Sequence, residues 1–190
     1  AGFVTKDTEE QYKPLKEGVS LQYAEREPRF YASVAYNGSV WEMSTSYDDY
    51  NRFYRAWYYH DSNDGKVAQT GELYLRTGIG VKKFYNPQDS YMNGGRIIPK
   101  LDTAIRYAEV LLIYAEALNE LNGTYEIASW DNSQTYSIKR DKEEMAKGIE
   151  PIRIRAGLPN YSDDVYNSKD EFRKKLKRER QIELFAEGHR

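Results

Sequence analysis

The sequence predicts a mostly α-helical protein of the α+β class, in which a small β-hairpin and long loops precede a helical half. After residue 101, apolar residues recur every three or four positions, as in helices that pack through one face. Before residue 100, one short alternating run is followed by clusters of Gly, Asn and Asp that are typical of turns. The change in pattern lies near the middle of the chain.

The length of 190 residues suits one domain with its own core, and we expect a single domain over residues 1–190. Within it, an aromatic loop and hairpin region covers residues 26–100 and a helical region covers residues 101–190. Mean hydropathy is low, at -0.87. Aromatic residues nevertheless make up 14% of the chain, which argues against disorder because aromatic rings bury large areas. We expect a tyrosine-rich core.

Charge and composition exclude several classes of partner and chemistry. The net charge of -2 produces no field that would attract nucleic acid, so no nucleic acid is expected. The chain has no cysteine and no apolar stretch long enough to span a membrane. Its two histidines, His60 and His189, lie far apart and outside any metal-binding or nucleophile motif. We predict no metal, no cofactor and no catalytic residue.

The first ordered element is predicted to be a strand. Residues 29–36 alternate in character, and Asn37-Gly38 is the dipeptide most typical of a two-residue hairpin turn. We therefore predict a hairpin that returns through residues 40–43. The polar residues 1–28 are expected to be irregular or weakly helical, and residues 44–96 to form a long loop-rich region.

Capping signals predict the first and last of three helices in the second half. The first should begin at an Asp102 cap and stop at Gly123 in the left-handed conformation. The last should begin where Ser168 and Glu171 have capping-box spacing, and should end at Gly188. The apolar residues expected on their buried faces are Ile105, Ala108, Leu111, Leu112, Ala115, Leu118, Leu121, Phe172, Leu176, Ile182 and Phe185.

The middle helix is predicted from about Lys139 to Ala156, and it should end at Gly157. Pro151 should bend or interrupt it, with a break near Glu150, because proline has no N–H group and clashes with the preceding turn. Residues 122–137 are rich in Gly, Ser and Asn and are expected to be an exposed connection. The residues expected to face the core are Met145, Ala146, Ile149, Ile152 and Ile154.

Several segments resemble motifs of one protein family. Residues 106–120 have the sequence RYAEVLLIYAEALNE, residues 152–159 have IRIRAGLP, and residues 179–190 have ERQIELFAEGHR. Upstream, residues 26–34 (REPRFYASV) and 83–85 (KFY) are similar to further family elements. On these motifs, the chain resembles the C-terminal portion of the SusD/RagB family over about residues 26–190.

The resemblance implies a SusD-like fold with tetratricopeptide-like helices in an N-terminal half that is missing here, so the chain is expected to be a fragment. It also implies a non-catalytic, surface-exposed lipoprotein of the outer membrane, held there only by a lipid anchor absent from this chain. Such a protein would capture oligosaccharide or polysaccharide and deliver it to a SusC-like TonB-dependent transporter. The sequence departs from the family pattern at Glu150-Pro151 and in stopping at Arg190.

Aromatic residues outside the helices are the candidates for contact with a glycan. A sugar ring presents a face of C–H bonds that packs on tryptophan or tyrosine, and its hydroxyl groups bond to nearby polar side chains. The loop region supplies both kinds of residue. Core packing is the competing interpretation for its tyrosines. The predicted ligand-binding residues are Trp41, Trp57, Tyr58, Tyr59 and Trp130.

The helix charges have a structural interpretation. We expect glutamates of the helices to pair with arginines and fix the helix register, and the basic run 173–180 to be a solvated helix face. The residues in these expected pairs are Arg106, Glu109, Glu116, Glu179, Glu183, Glu187 and Arg190.

Three other functions remain open. The first is RagB-like peptide capture, and the second is a tetratricopeptide-type protein-interaction scaffold. The third is a glycoside hydrolase, since paired carboxylates that flank a sugar can cleave it.

Overall fold

The computed structural model describes residues 20–43, 52–67, 74–90, 94–101 and 103–188. The chain divides into two compact units, residues 1–101 and 102–190, which we call the aromatic unit and the helical unit. The first contains short strand pairs and the second contains most of the helix, which confirms the α+β class.

In the aromatic unit, short elements alternate with turns. A 3-10 turn at Leu21–Tyr23 leads to helix α1 (Pro28–Ser33). Strands β1 (Val34–Tyr36) and β4 (Ile79–Val81) pair antiparallel, as do β2 (Ser39–Glu42) and β3 (Phe53–Ala56). The described part of this unit therefore contains two separate two-stranded sheets.

The predicted strand over residues 29–36 is wrong for its first part, because Pro28–Ser33 forms helix α1. Pro28 occupies the start of that helix, where its fixed φ fits and its missing N–H group leaves no bond unmade. The predicted hairpin is also wrong. Gly38 does turn the chain, with φ of 89°, but the strands on either side of it pair with β4 and β3.

Aromatic rings pack together at helix α1, but the expected tyrosine-rich core is wrong: among the described residues, Tyr23 and Tyr166 are the only tyrosines in the buried hydrophobic core. The rings of Tyr23 and Tyr36 have centroids 4.9 Å apart, and Phe30 lies 5.4 Å from Tyr36. The Tyr31 hydroxyl donates a hydrogen bond to the Tyr23 carbonyl at 2.8 Å. These tyrosines are structural, and this cluster stabilises the first part of the unit.

The helical unit is built on three longer helices. They are α2 (Tyr107–Glu120), α3 (Lys142–Arg155) and α5 (Lys169–Glu183), with the short α4 (Asp163–Asn167) before the last. Strands β5 (Tyr125–Ala128) and β6 (Thr135–Ile138) form an antiparallel hairpin between α2 and α3. The buried core consists of Leu112, Ala115, Leu118, Met145, Ile149, Ile152, Tyr166, Phe172, Leu176 and Leu184.

Two predicted helix signals are confirmed. The Ser168 hydroxyl accepts a hydrogen bond from the Glu171 N–H group at 3.3 Å, which caps helix α5. Gly157 follows helix α3 with φ of 74°, and the next N–H group, that of Leu158, bonds back to the Arg153 carbonyl at 2.8 Å. Both signals depend on neighbouring residues only.

Other expected boundaries are wrong. Helix α2 begins at Tyr107, so Ile105 precedes it and is 69% exposed; Asp102 lies outside the described residues. The helix stops before Gly123, whose φ is not positive. The connection predicted at 122–137 is largely exposed, as expected, and it contains the β5–β6 hairpin. Ile154, expected to face the core, is exposed.

Helix α3 continues through Pro151 without the predicted interruption. The proline faces solvent, while Ile149 and Ile152 on either side of it are buried in the core. Proline removes one backbone bond of the helix. Burial of the two isoleucines offsets that loss, since each contributes about 1.5–3 kcal/mol.

Helices α2 and α3 approach each other closely at Gly148. A Cβ atom built there would lie 2.5 Å from the Leu111 carbonyl oxygen and 2.8 Å from the Ala115 Cβ atom. Residue 148 must therefore be glycine because any side chain would clash with helix α2, and not because the backbone there has a positive φ. None of the helices in the ranges given above is long and apolar enough to cross a bilayer.

Candidate functional site

The loop after strand β3 presents an aromatic surface. Trp57 follows the strand directly and is half-buried, whereas Tyr59 is 58% exposed. Their ring centroids lie 6.2 Å apart, and the Arg55 guanidinium lies 6.0 Å from the centroid of the Trp57 ring. We call Arg55, Trp57 and Tyr59 the Trp57 platform.

Polar bonds hold the backbone of this loop. The Asn63 side-chain oxygen accepts from the Trp57 N–H group at 2.9 Å, and its side-chain NH₂ group donates to the Arg55 carbonyl at 2.9 Å. The Ser62 hydroxyl bonds to the Trp57 and Tyr59 carbonyls. A Cβ atom at Gly65 would lie 1.8 Å from the Tyr59 carbonyl oxygen. The loop conformation therefore depends on these neighbours rather than on an apolar core.

Polar side chains surround the platform. His60 and Asp61 are exposed and contact each other through the imidazole and carboxylate. The Tyr54 hydroxyl donates to the Asp64 carboxylate at 2.7 Å. An aromatic face with donors and acceptors at its border matches the chemistry of a sugar ring.

Trp41 and Tyr58 lie in a more enclosed setting. The Trp41 ring packs edge-on against Tyr85, with centroids 5.0 Å apart, and the Lys82 ammonium lies 5.5 Å from the centroid of the Trp41 ring. Burial raises the pKa of Tyr58, and the nearby Trp41 indole and Ser39 hydroxyl partly offset this effect. Burial also lowers the pKa of Lys82, which donates to the Val40 carbonyl at 2.7 Å. Trp41 and Tyr58 are thus packed against neighbouring side chains of the same unit.

Trp130 belongs to the helical unit and is 96% exposed at the end of the β5–β6 hairpin. The turn beside it is held by Asp131, whose carboxylate accepts from the Ser129 and Ser133 hydroxyls at 2.6 and 2.8 Å. These hydrogen bonds lower the pKa of Asp131 to about 2. The five predicted ligand residues thus occupy three settings. Trp57 and Tyr59 lie together on the loop after β3, where Trp57 is half-buried and Tyr59 is exposed.

The expected pairing of helix charges is confirmed for Arg106. Its guanidinium bonds to the Glu187 carboxylate at 2.7 and 2.8 Å and to the Glu183 carboxylate at 3.1 Å. Arg180 and Glu116 lie 3.8 Å apart. Arg190 lies outside the described residues.

Sequence reasoning missed two further arginine pairs. Arg153 bonds to the buried Glu179 at 2.9 Å, and Arg155 bonds to Glu183. Arg153 also lies over the Tyr161 ring, 4.1 Å from its centroid. Both pairs could have been suggested by the arginines of the IRIRAGLP motif, which recur at two-residue spacing on the last turn of α3. These glutamates hold helices together.

Part of the basic run on helix α5 is neutralised by neighbouring acids. The Arg173 guanidinium makes two bonds to the Glu120 carboxylate, at 2.8 and 2.7 Å, and lowers its pKa to about 2. Lys174 pairs with Glu171 at 2.7 Å. Within the described ranges, no group of His, Asp and Glu side chains is arranged to hold a metal ion.

Comparison with known proteins identifies the family. A sequence profile of the SusD family matches residues 3–190. This chain belongs to the SusD family. Its fold is similar to that of a SusD-like protein from Bacteroides fragilis NCTC 9343, with a TM-score of 0.58 and 25% sequence identity. That match covers 87% of this chain and 27% of the other, so this chain spans about a quarter of the protein it resembles. No curated protein matched the chain by sequence.

Proposed function

We propose that this SusD-family chain takes part in the capture of oligosaccharide or polysaccharide, without catalysis, and in its delivery to a SusC-like TonB-dependent transporter. The observation that carries the proposal is the family match over residues 3–190. The protein would act as a surface-exposed lipoprotein of the outer membrane. Binding, rather than bond cleavage, is then the whole activity.

The Trp57 platform supports a sugar as the ligand. An exposed tyrosine beside a half-buried tryptophan offers two ring faces to C–H groups, and the Arg55 guanidinium, which donates to the Gly38 carbonyl at 3.0 Å, lies beside the Trp57 ring. The fixed backbone of residues 57–65 reduces the entropy lost on binding.

The structural use of the helix carboxylates supports a non-catalytic role. Glu179 and Glu183 are buried and bound by arginines, and Glu187 is bound by Arg106. A hydrolase needs one carboxyl group that can donate a proton and a second one facing the same sugar. Carboxylates that are buried and bonded to arginines within the unit are not available to flank a sugar.

Affinity electrophoresis tests the proposal. The chain is run through gels that contain plant, host or microbial polysaccharides, beside Trp57→Ala and the control Phe84→Ala, which removes another exposed aromatic side chain of the same unit. We expect at least one polysaccharide to retard the chain, Trp57→Ala to migrate freely and Phe84→Ala to remain retarded. Free migration of the unmodified chain in every gel, with binding to a peptide array, would replace glycan capture by peptide capture.

A further inference from the structure

The β5–β6 hairpin of the helical unit has one apolar face. The register pairs Tyr125 with Ile138 and Ile127 with Tyr136, which places these four side chains on the same face. The other face carries polar or small side chains. Tyr125, Ile127 and Tyr136 are each about half exposed, so this face is only partly covered.

A groove of about 500 Å³ lies between this hairpin, helix α2 and the start of helix α3. Two tyrosines contribute to its walls, Tyr114 from the helix and Tyr136 from the strand, and Leu118 and Ile138 complete the apolar part. The remaining lining residues, mostly charged, are Ser137, Lys139, Asp141, Glu143 and Glu144.

Most of the negative charge in this groove is already engaged. Glu144 pairs with Lys147 at 2.5 Å and accepts from the Tyr114 hydroxyl at 2.7 Å, and the bond from Lys147 lowers the pKa of Glu144. Asp141 caps helix α3 through the Glu144 N–H group, at the positive end of that helix. The exposed Glu143 carboxylate and Lys139 ammonium remain, with opposite charges.

We propose that this groove, which we call the Tyr136 groove, is a second carbohydrate subsite that takes uncharged sugar units in preference to uronic-acid or sulfated ones. The two tyrosine rings offer faces to the C–H groups of a sugar, while Glu143 accepts and Lys139 donates hydrogen bonds to its hydroxyls. This inference rests on the proposed function, since it adds a subsite to a protein that captures glycan.

The charge balance separates this occupant from the alternatives. A polyanionic glycan would face three carboxylates against one lining ammonium. A basic peptide would need carboxylates that can pair with its cations. Glu144 already pairs with Lys147, and Asp141 already accepts the hydrogen bond that caps helix α3. A neutral, hydroxyl-rich chain needs hydrogen-bond donors and acceptors rather than an opposite charge, and Lys139 and Glu143 provide one of each beside the engaged carboxylates.

Amide chemical-shift titration of the isotope-labelled 190-residue chain tests the proposal. The probes are cellohexaose, maltohexaose, xylohexaose and mannohexaose, with hexagalacturonate and hexalysine for comparison. We expect a neutral hexasaccharide to shift the amides of residues 135–144, and hexagalacturonate to leave them unchanged. Tyr136→Ala should weaken that binding about tenfold, which corresponds to about 1.4 kcal/mol.

Tyr125→Ala is the matched control. This tyrosine lies on the same face of the same hairpin with similar exposure, 48% against 51% for Tyr136, but it does not line the groove. It should retain binding, as should Tyr136→Phe, which keeps the ring and removes only a hydroxyl bonded to Gln134. Equal losses in Tyr136→Ala and Tyr125→Ala would show non-specific adhesion to the hairpin and overturn the proposal.

The remaining outcomes are equally decisive. Shifts of residues 135–144 with hexalysine but with no neutral sugar would assign the groove to a basic peptide, and an absence of shifts with every neutral hexasaccharide would also overturn the subsite. If Trp57→Ala abolishes polysaccharide retention while residues 135–144 never respond, the proposed function stands and this inference fails. If the groove titrates and Trp57→Ala has no effect, glycan capture stands without the Trp57 platform.

Discussion

The two units of the chain are stabilised in different ways. The helical unit buries large side chains such as Phe172 and Ile149 and joins its helices by arginine–carboxylate bonds. In the aromatic unit the strands are three or four residues long, and the buried side chains include Ser39, Ser62 and Asp89. Its loops are held largely by polar bonds to the backbone.

This difference separates the helix core from the Trp57 platform. The three sequence motifs that identify the family fall in the helical unit, where Arg106, Arg153 and Glu179 form structural bonds. The Trp57 platform is on a loop whose side chains carry little of the packing. We infer that ligand preference can change through loop substitutions while the helical framework remains intact.

Loss of a core ring in the helical unit should have the largest effect. Phe172 is fully buried, so Phe172→Ala is expected to lower the free energy of unfolding by about 3–5 kcal/mol through lost burial and a cavity. Trp130→Ala removes a larger ring, but that ring is 96% exposed. The free energy of unfolding should therefore change by less than about 0.5 kcal/mol. Urea unfolding followed by circular dichroism measures both; similar losses would refute the assigned core.

A buried ion pair should matter more than an exposed one. Arg153→Met leaves the buried Glu179 carboxylate without its arginine and should destabilise the helical unit by about 3 kcal/mol. Lys142→Met breaks the exposed pair with Asp163 and should cost less than about 1 kcal/mol. Urea unfolding followed by circular dichroism measures the loss in both variants. Equal effects would mean that Arg153 is not part of the framework.

Crowding at Gly65 should disturb the aromatic unit alone. Gly65→Ala forces a Cβ atom against the Tyr59 carbonyl, so we expect a local cost of about 1–3 kcal/mol and loss of polysaccharide retention. Gly123→Ala meets no atom within 4 Å and should retain both binding and stability. Retention by Gly65→Ala in the gel assay would show that ligand binding does not depend on this loop.

The smallest expected effect is acid sensitivity at Asp89. The Lys100 ammonium lies 2.6 Å from both of its carboxylate oxygens, and this pairing lowers the Asp89 pKa. A lowered folded-state pKa contributes stability above the ordinary value of about 3.8, and that contribution is lost as pH falls through the folded-state value. In Asp89→Asn, the free energy of unfolding of the aromatic unit should therefore fall less steeply as the pH drops below about 4. An unchanged acid profile would exclude this carboxylate as a contributor.

Some local signals were predicted correctly, whereas long-range pairing and tertiary burial were not. The caps at Ser168 and Gly157 depend on residues within one helical turn, and both are confirmed. The strand partners of Val34–Tyr36 lie more than 40 residues away at Ile79–Val81, so the Asn37-Gly38 dipeptide could not specify them. Tertiary burial of Ile149 and Ile152 overrode the helix-breaking tendency of Pro151.

The candidate site was predictable in residue type but not in position. Sequence alone placed Trp41, Tyr58, Trp57 and Tyr59 in one aromatic region, but it could not show that Trp41 packs on the distant Tyr85 or that Tyr58 lies beside Trp41 and Ser39. The Tyr136 groove was missed because the composition of residues 122–137 indicates only an exposed connection and not the strands within it. The alternation of Tyr125 with Ile127 and of Tyr136 with Ile138, on either side of Asp131-Asn132, is the signal that predicts a hairpin there.

Mapping the bound polysaccharide on the chain tests the central claim most directly. The amide spectrum of the labelled chain is recorded with increasing amounts of an oligosaccharide derived from the polysaccharide that retards it. We predict shifts at residues 57–65, and none at Ile149 or Leu176 in the buried core of the helical unit. Saturable binding that leaves residues 57–65 unshifted would contradict the assignment of ligand contact to the Trp57 platform.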